Sequence, residues 1–175
     1  MIVNERFFPL NSDVELSNKV IGDLNHLKWM TEDLSQGLHE CLINSEKYLQ
    51  LEALHILPLS KLEYFLRTRG LITRQSGIIK IIKNSTILNQ LEKEHLIYFY
   101  YIRHTIVHRG GYFDEEFFND IKKADLKRLK IEFDFQSSQD DNSLSPIHPQ
   151  DVVKYIELII KLVIEINDNF SLKKL

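Results

Sequence analysis

Between Val14 and Leu42, apolar residues fall at Val20, Leu24, Leu27, Met30, Leu34, Leu38 and Leu42, steps of three and four that line one face of a long helix. A second helix is expected from Ser45, a good cap, to about Arg69. Tyr48, Leu51, Leu54, Leu57, Leu62 and Phe65 supply its apolar positions, Pro58 predicts a kink and Gly70 a stop. A short helical piece follows at Ile78 to Lys83. Asn84-Ser85-Thr86 then offers capping chemistry for a third long helix from about Ile87 to His108, which Gly110-Gly111 ends.

The pattern changes after Phe113. Glu115 to Leu129 keeps helical spacing, whereas Ile131-Glu132-Phe133-Asp134-Phe135 alternates as a half-buried strand does. Gln136 to Pro149 is rich in Ser, Asp, Asn and Pro and has nothing to bury, which predicts an exposed polar loop. The last helix, Gln150 to Asp168, confines Lys154, Glu157, Lys161 and Glu165 to a narrow polar stripe and is apolar elsewhere. So wide an apolar surface calls for burial on two sides and leaves room for a dimer interface as well as a core. These elements sum to an all-α chain: one domain over residues 1–175, a helical bundle of four main helices, with a small β excursion between the third and fourth.

At 175 residues and 43% hydrophobic, the chain is long enough to bury one proper core and short for two. Its one cysteine, Cys41, allows no internal disulfide framework and reads as a small apolar helix residue, consistent with a reducing, cytoplasmic setting. No basic-then-apolar leader or uninterrupted membrane-length apolar run is present. A net charge of −3 gives no overall basic field, so any nucleic-acid affinity must come from a local patch. Basic residues gather at Arg67-Arg69-Arg74-Lys80-Lys83 and at Arg103-Arg109.

The third helix carries the chemistry. It is aliphatic and aromatic through Leu96-Ile97-Tyr98-Phe99-Tyr100-Tyr101-Ile102 and then reads Arg103-His104-Thr105-Ile106-Val107-His108-Arg109-Gly110-Gly111. A helix so apolar is mostly buried, and an arginine keeps its charge. Arg103 must therefore meet a carboxylate, with Glu63 and Glu92 as the structural candidates, or a wet cleft or a bound anion such as phosphate. On a helical wheel His104 and His108 lie about 40° apart, while Arg103 and His108 diverge by about 140°. A histidine in the last turn of a helix suits acid-base chemistry, since the helix dipole favours its protonated form while the neighbouring arginines oppose it.

Arginine, four residues and histidine is a weak signal alone. At the end of an aliphatic-aromatic helix, followed by Arg-Gly-Gly, it closely resembles the HEPN superfamily (higher eukaryotes and prokaryotes nucleotide-binding domain). That signature is Arg, usually a polar residue, three more positions and His near the end of the third helix. Arg103 and His108 match the Arg and His; His104 stands where Asn is common. The resemblance covers Ile97 to Gly111 closely and implies a homodimer that brings two such motifs into one cleft. It implies RNA cleavage by 2′-hydroxyl attack, without metal or other cofactor, giving 2′,3′-cyclic phosphate and 5′-hydroxyl ends. Arg103, His104 and His108 would then be catalytic, Tyr100 and Arg109 would contact RNA, and an antitoxin or defence-system protein would be a natural partner.

Two other readings fit parts of the pattern. His104 and His108 have the spacing of helical metal ligands, with His148 available as a third, but Thr105 stands where the familiar metalloprotease motif has Glu. Alternatively, Arg103 and His108 stabilise a non-catalytic dimerisation, interaction or RNA-binding module. Gly-rich phosphate loops, a nucleophile elbow and a Cys-His arrangement around Cys41 are absent from the sequence.

Overall fold

The computed structural model describes residues 13–36, 45–73, 76–109, 115–129 and 148–172. Among them are six main helices and no strand: α1 (Asp13–Gln36), α2 (Ser45–Thr68), α3 (Ser76–Asn84), α4 (Gln90–Arg109), α5 (Glu115–Ala124) and α6 (Pro149–Leu172). The all-α class follows. The expected strand at 131–135, the polar stretch up to residue 147, the Gly110-Gly111 stop, and Leu38, Cys41 and Leu42 at the end of the first predicted helix lie outside the described residues.

Helix α6 is the hub. It lies antiparallel along α1, held by Ser17 Oγ donating to Asn167 Oδ1 at 2.9 Å near one end and by Lys28 pairing with Glu157 near the other. It also packs on α2 and α4. Val152, Tyr155, Ile156, Ile159, Leu162 and Val163 are each no more than 1% exposed. The burial on two sides expected from the sequence is therefore met inside the chain. The spare apolar surface for a dimer is not found there: among the described residues of α6, Ile164 is the large apolar side chain left exposed.

Local chemistry explains where α2 ends. Gly70 adopts a φ of +67°, its N–H donates to the Arg67 carbonyl, and Leu71 N–H donates to the Leu66 carbonyl, both at 2.9 Å. This is the paired left-handed cap that glycine adopts without steric cost. Arg69, beside it, donates to Ser17 Oγ and Asn167 Oδ1 at 2.9 Å and lies 4.8 Å over the Phe65 ring, tying α2 to α1 and α6. Helix α2 runs through Pro58 as one element.

Helix α4 starts three residues later than expected. Its cap is Asn89, whose Oδ1 accepts from Glu92 N–H while Glu92 Oε2 accepts from Asn89 N–H, each at 2.9 Å, a reciprocal capping box. The Ser-Thr pair read as the cap has another task. Ser85 Oγ donates to Glu165 Oε2, while Thr86 N–H and Oγ1 donate to Glu165 Oε1 at 2.6 and 2.7 Å. Glu165 is thus 8% exposed rather than part of an outward polar stripe. A second buried carboxylate, Glu94, accepts the Arg128 and Leu129 N–H groups at 2.7 and 2.9 Å and binds the chain after α5 to α4.

Candidate active site at the end of helix α4

The aromatic half of α4 forms the floor of the candidate site. Phe99 meets Tyr155 of α6 with ring centres 5.0 Å apart and His55 of α2 edge-on at 5.7 Å. One turn further on, Arg103 follows on nearly the same face, about 40° from Phe99. Its side chain is only 8% exposed, and its Nε is buried with no hydrogen-bond partner.

Neither carboxylate proposed as its structural partner is used for it. Glu63 pairs with Arg67 at 2.8 Å, one turn along α2, and Glu92 pairs with Lys161 of α6 at 2.6 Å. The Lys161 ammonium, followed by the Asn89 N–H, holds the Glu92 carboxyl below its usual range. Among the described residues Arg103 forms no ion pair. A guanidinium in this position is a buried charge for which the described residues provide no counter-ion, an arrangement that favours an anion with several acceptor oxygens.

The two histidines lie together as their spacing predicts, with ring centres 4.5 Å apart and planes tilted by 49°. His104 is half-buried and His108 exposed. Arg103 and His108 remain on different sides of the helix, and one chain does not bring them face to face. Tyr100 sits beside Arg103 but is 8% exposed, its ring set edge-on to Tyr101 at 5.5 Å. Burial pushes its hydroxyl up; the charge of Arg103 counters this, while Glu63 and Asp120 add to it. The side chain of Arg109 lies outside the described residues.

The other histidines divide between core and surface. His55 is fully buried, its Nε2 3.2 Å from the Phe99 carbonyl, and desolvation lowers its pKa to about 4. His95 is buried against Phe99 with Lys154 Nζ 3.1 Å from its Nε2. His26 stacks on the exposed Trp29, and His148 is exposed at the start of α6. No group of three His, Cys, Asp or Glu side chains among the described residues is placed to hold a metal ion. The basic cluster of α2 serves the fold: Arg67 pairs with Glu63 and donates to the Thr73 carbonyl, and Arg69 is the α1-α2-α6 tie.

Sequence reasoning passed over Tyr155, which is fully buried with an unpartnered hydroxyl and packs its ring against Phe99 and His55. In a run of apolar residues it reads as core, and its polar end gives no periodic signal. No helix among the described residues is long and apolar enough to cross a membrane. Comparison with protein-family models, with curated proteins and with solved structures gives no match.

Proposed function

We propose that this chain is a metal-independent endoribonuclease of the HEPN type, working in the cytoplasm in a toxin-antitoxin or antiviral defence setting. The observation that carries the reading is Arg103: a buried guanidinium without a carboxylate partner among the described residues, at the end of the helix that also presents the adjacent His104-His108 pair. In this reading Arg103 neutralises a phosphate of the RNA. His108, open to solvent, removes the proton of the 2′-hydroxyl as it attacks phosphorus or returns one to the departing 5′-oxygen, and His104 orients it. The bond to the 5′-oxygen breaks as the bond from the 2′-oxygen forms, leaving a 2′,3′-cyclic phosphate and a 5′-hydroxyl.

Because Arg103 and His108 diverge, the reading calls for a second copy whose motif completes the cleft. Light scattering should give twice the monomer mass at micromolar concentration; a monomer at high micromolar concentration would count heavily against it. Since most of the described apolar side chains of α6 are buried inside the chain, that contact would draw on other surface as well.

Cleavage of tRNA or total RNA should persist in excess EDTA and yield cyclic-phosphate ends. Strict dependence on added zinc or manganese would instead make His104 and His108 metal ligands.

A non-catalytic interaction module draws support from a different feature. A groove of about 340 Å³ between α1 and α2 is lined by Trp29, Met30, Leu34, Leu54 and Leu57, and Trp29 is 59% exposed. Apolar surface of that kind commonly marks contact with another protein. Wild-type protein that folds, associates and leaves RNA intact would establish this reading in place of the nuclease.

A further inference from the structure

We propose that His55 of α2 is a positioning residue for Arg103, its Nε2–H donating to the Phe99 carbonyl and so fixing the turn of α4 on which the arginine stands. This inference rests on the reading of Arg103 as the phosphate-binding group and adds a residue that acts through it from a different helix.

His55 is 0% exposed, and its Nε2 lies 3.2 Å from the Phe99 carbonyl oxygen. A carbonyl only accepts, so Nε2 carries the proton and Nδ1 is left with a lone pair. That Nδ1 is buried without a hydrogen-bond partner. A core that needed only volume here would use phenylalanine or leucine, which have no nitrogen to desolvate. Desolvation holds the His55 pKa at about 4, so near neutrality the ring stays uncharged and keeps this one donor.

The acceptor is what ties His55 to the site. Phe99 and Arg103 are four apart in α4, so the Phe99 carbonyl also receives the Arg103 N–H. One oxygen thus joins an imidazole of α2 to the backbone of Arg103. The His55 ring stacks on Tyr155 of α6 at 5.1 Å and meets the Phe99 ring edge-on at 5.7 Å, while Phe99 and Tyr155 have ring centres 5.0 Å apart. Groups from α2 and α6 therefore hold the Phe99 turn in place, and Arg103 follows one turn later. A guanidinium that must meet a phosphate as it reacts depends on that placement.

The test is steady-state RNA cleavage by the full chain, for wild type, His55→Phe, His55→Gln and Arg103→Met. Phenylalanine keeps a ring but has no donor; glutamine returns an N–H near the place of Nε2. His55→Phe should keep or raise the unfolding midpoint near neutrality, yet lower kcat about tenfold or more with a smaller change in KM. His55→Gln should recover most of that loss. Added to Arg103→Met, His55→Phe should lower cleavage no further, because it acts through the arginine. If His55→Phe cleaves as wild type does, or if its loss persists in full in the Arg103→Met background, His55 packs or acts independently; the inference falls and the role of Arg103 stands. If wild type leaves RNA intact, or Arg103→Met cleaves equally well, the Arg103 reading falls too and takes the inference with it. Should His55→Phe fail to fold, the ring nitrogens of ¹⁵N-labelled histidine decide in wild type. Nε2 of His55 should carry the proton at neutral pH, and a proton on Nδ1 in its place overturns the inference.

Discussion

Substituting Ala for His108 or Met for Arg103 is expected to lower RNA cleavage by about 10²- to 10⁴-fold each, the usual effect of losing an acid-base group or a charge that stabilises the reacting phosphate. Both variants should fold. His108 is exposed, so its removal takes little from the core. Arg103 has no carboxylate among the described residues to leave stranded, and Met keeps much of its aliphatic volume. Replacing an unpaired buried charge by an apolar side chain should leave stability unchanged or raise it by about 1–2 kcal/mol. Cleavage rates and urea midpoints measured on the same preparations check this. Retained cleavage in either variant would refute the site, and a fall of several kcal/mol in Arg103→Met would mark the arginine as structural. His104→Ala, which removes one ring of the adjacent pair, should weaken cleavage less than either.

The largest stability effect should come from Glu165→Ala, at about 3 kcal/mol, because four donors lose their acceptor together. They are the Ser85 hydroxyl, the Thr86 hydroxyl and N–H, and the Ile87 N–H. Burial pushes the Glu165 carboxyl up, but these donors outweigh it and hold it below the usual carboxylate range. A group whose pKa is depressed by folding contributes stability above its unfolded value, about 4.3, and that contribution is lost as pH falls through the lower folded value. Urea unfolding of wild type and Glu165→Ala should therefore differ most near neutrality and converge at acid pH. A loss below about 0.5 kcal/mol, the scale of an ordinary surface substitution, would rule out the carboxylate as an anchor.

What could be read ahead of the structure follows from how each residue signals. Helices α1, α2, α4 and α6 announce themselves through apolar spacing, and Gly70 through a conformation that other residues rarely adopt. His104 and His108 are four apart on a helix, so their sharing one face was legible from position alone. Glu165 was not, because a carboxylate spaced with Lys154, Glu157 and Lys161 has the pattern of a solvated stripe. Its partners, Ser85 and Thr86, lie about eighty residues earlier and have ordinary capping composition. The same pair misplaced the start of α4, since capping residues beside a helix do not reveal which acceptor they serve. For Arg103, burial was legible but the lack of an ion pair was not, because it depended on Glu63 and Glu92 being claimed by Arg67 and Lys161.

The position of α6 has a consequence for the order in which the molecule is made. Ser17, Arg69 and Ser85 all wait for residues in its last turns, across separations of 150, 98 and 80 positions. As the chain leaves the ribosome, α1, α2 and α4 emerge with their inner faces uncovered and must persist as a loose, sticky intermediate until the final helix arrives to fill the space between them.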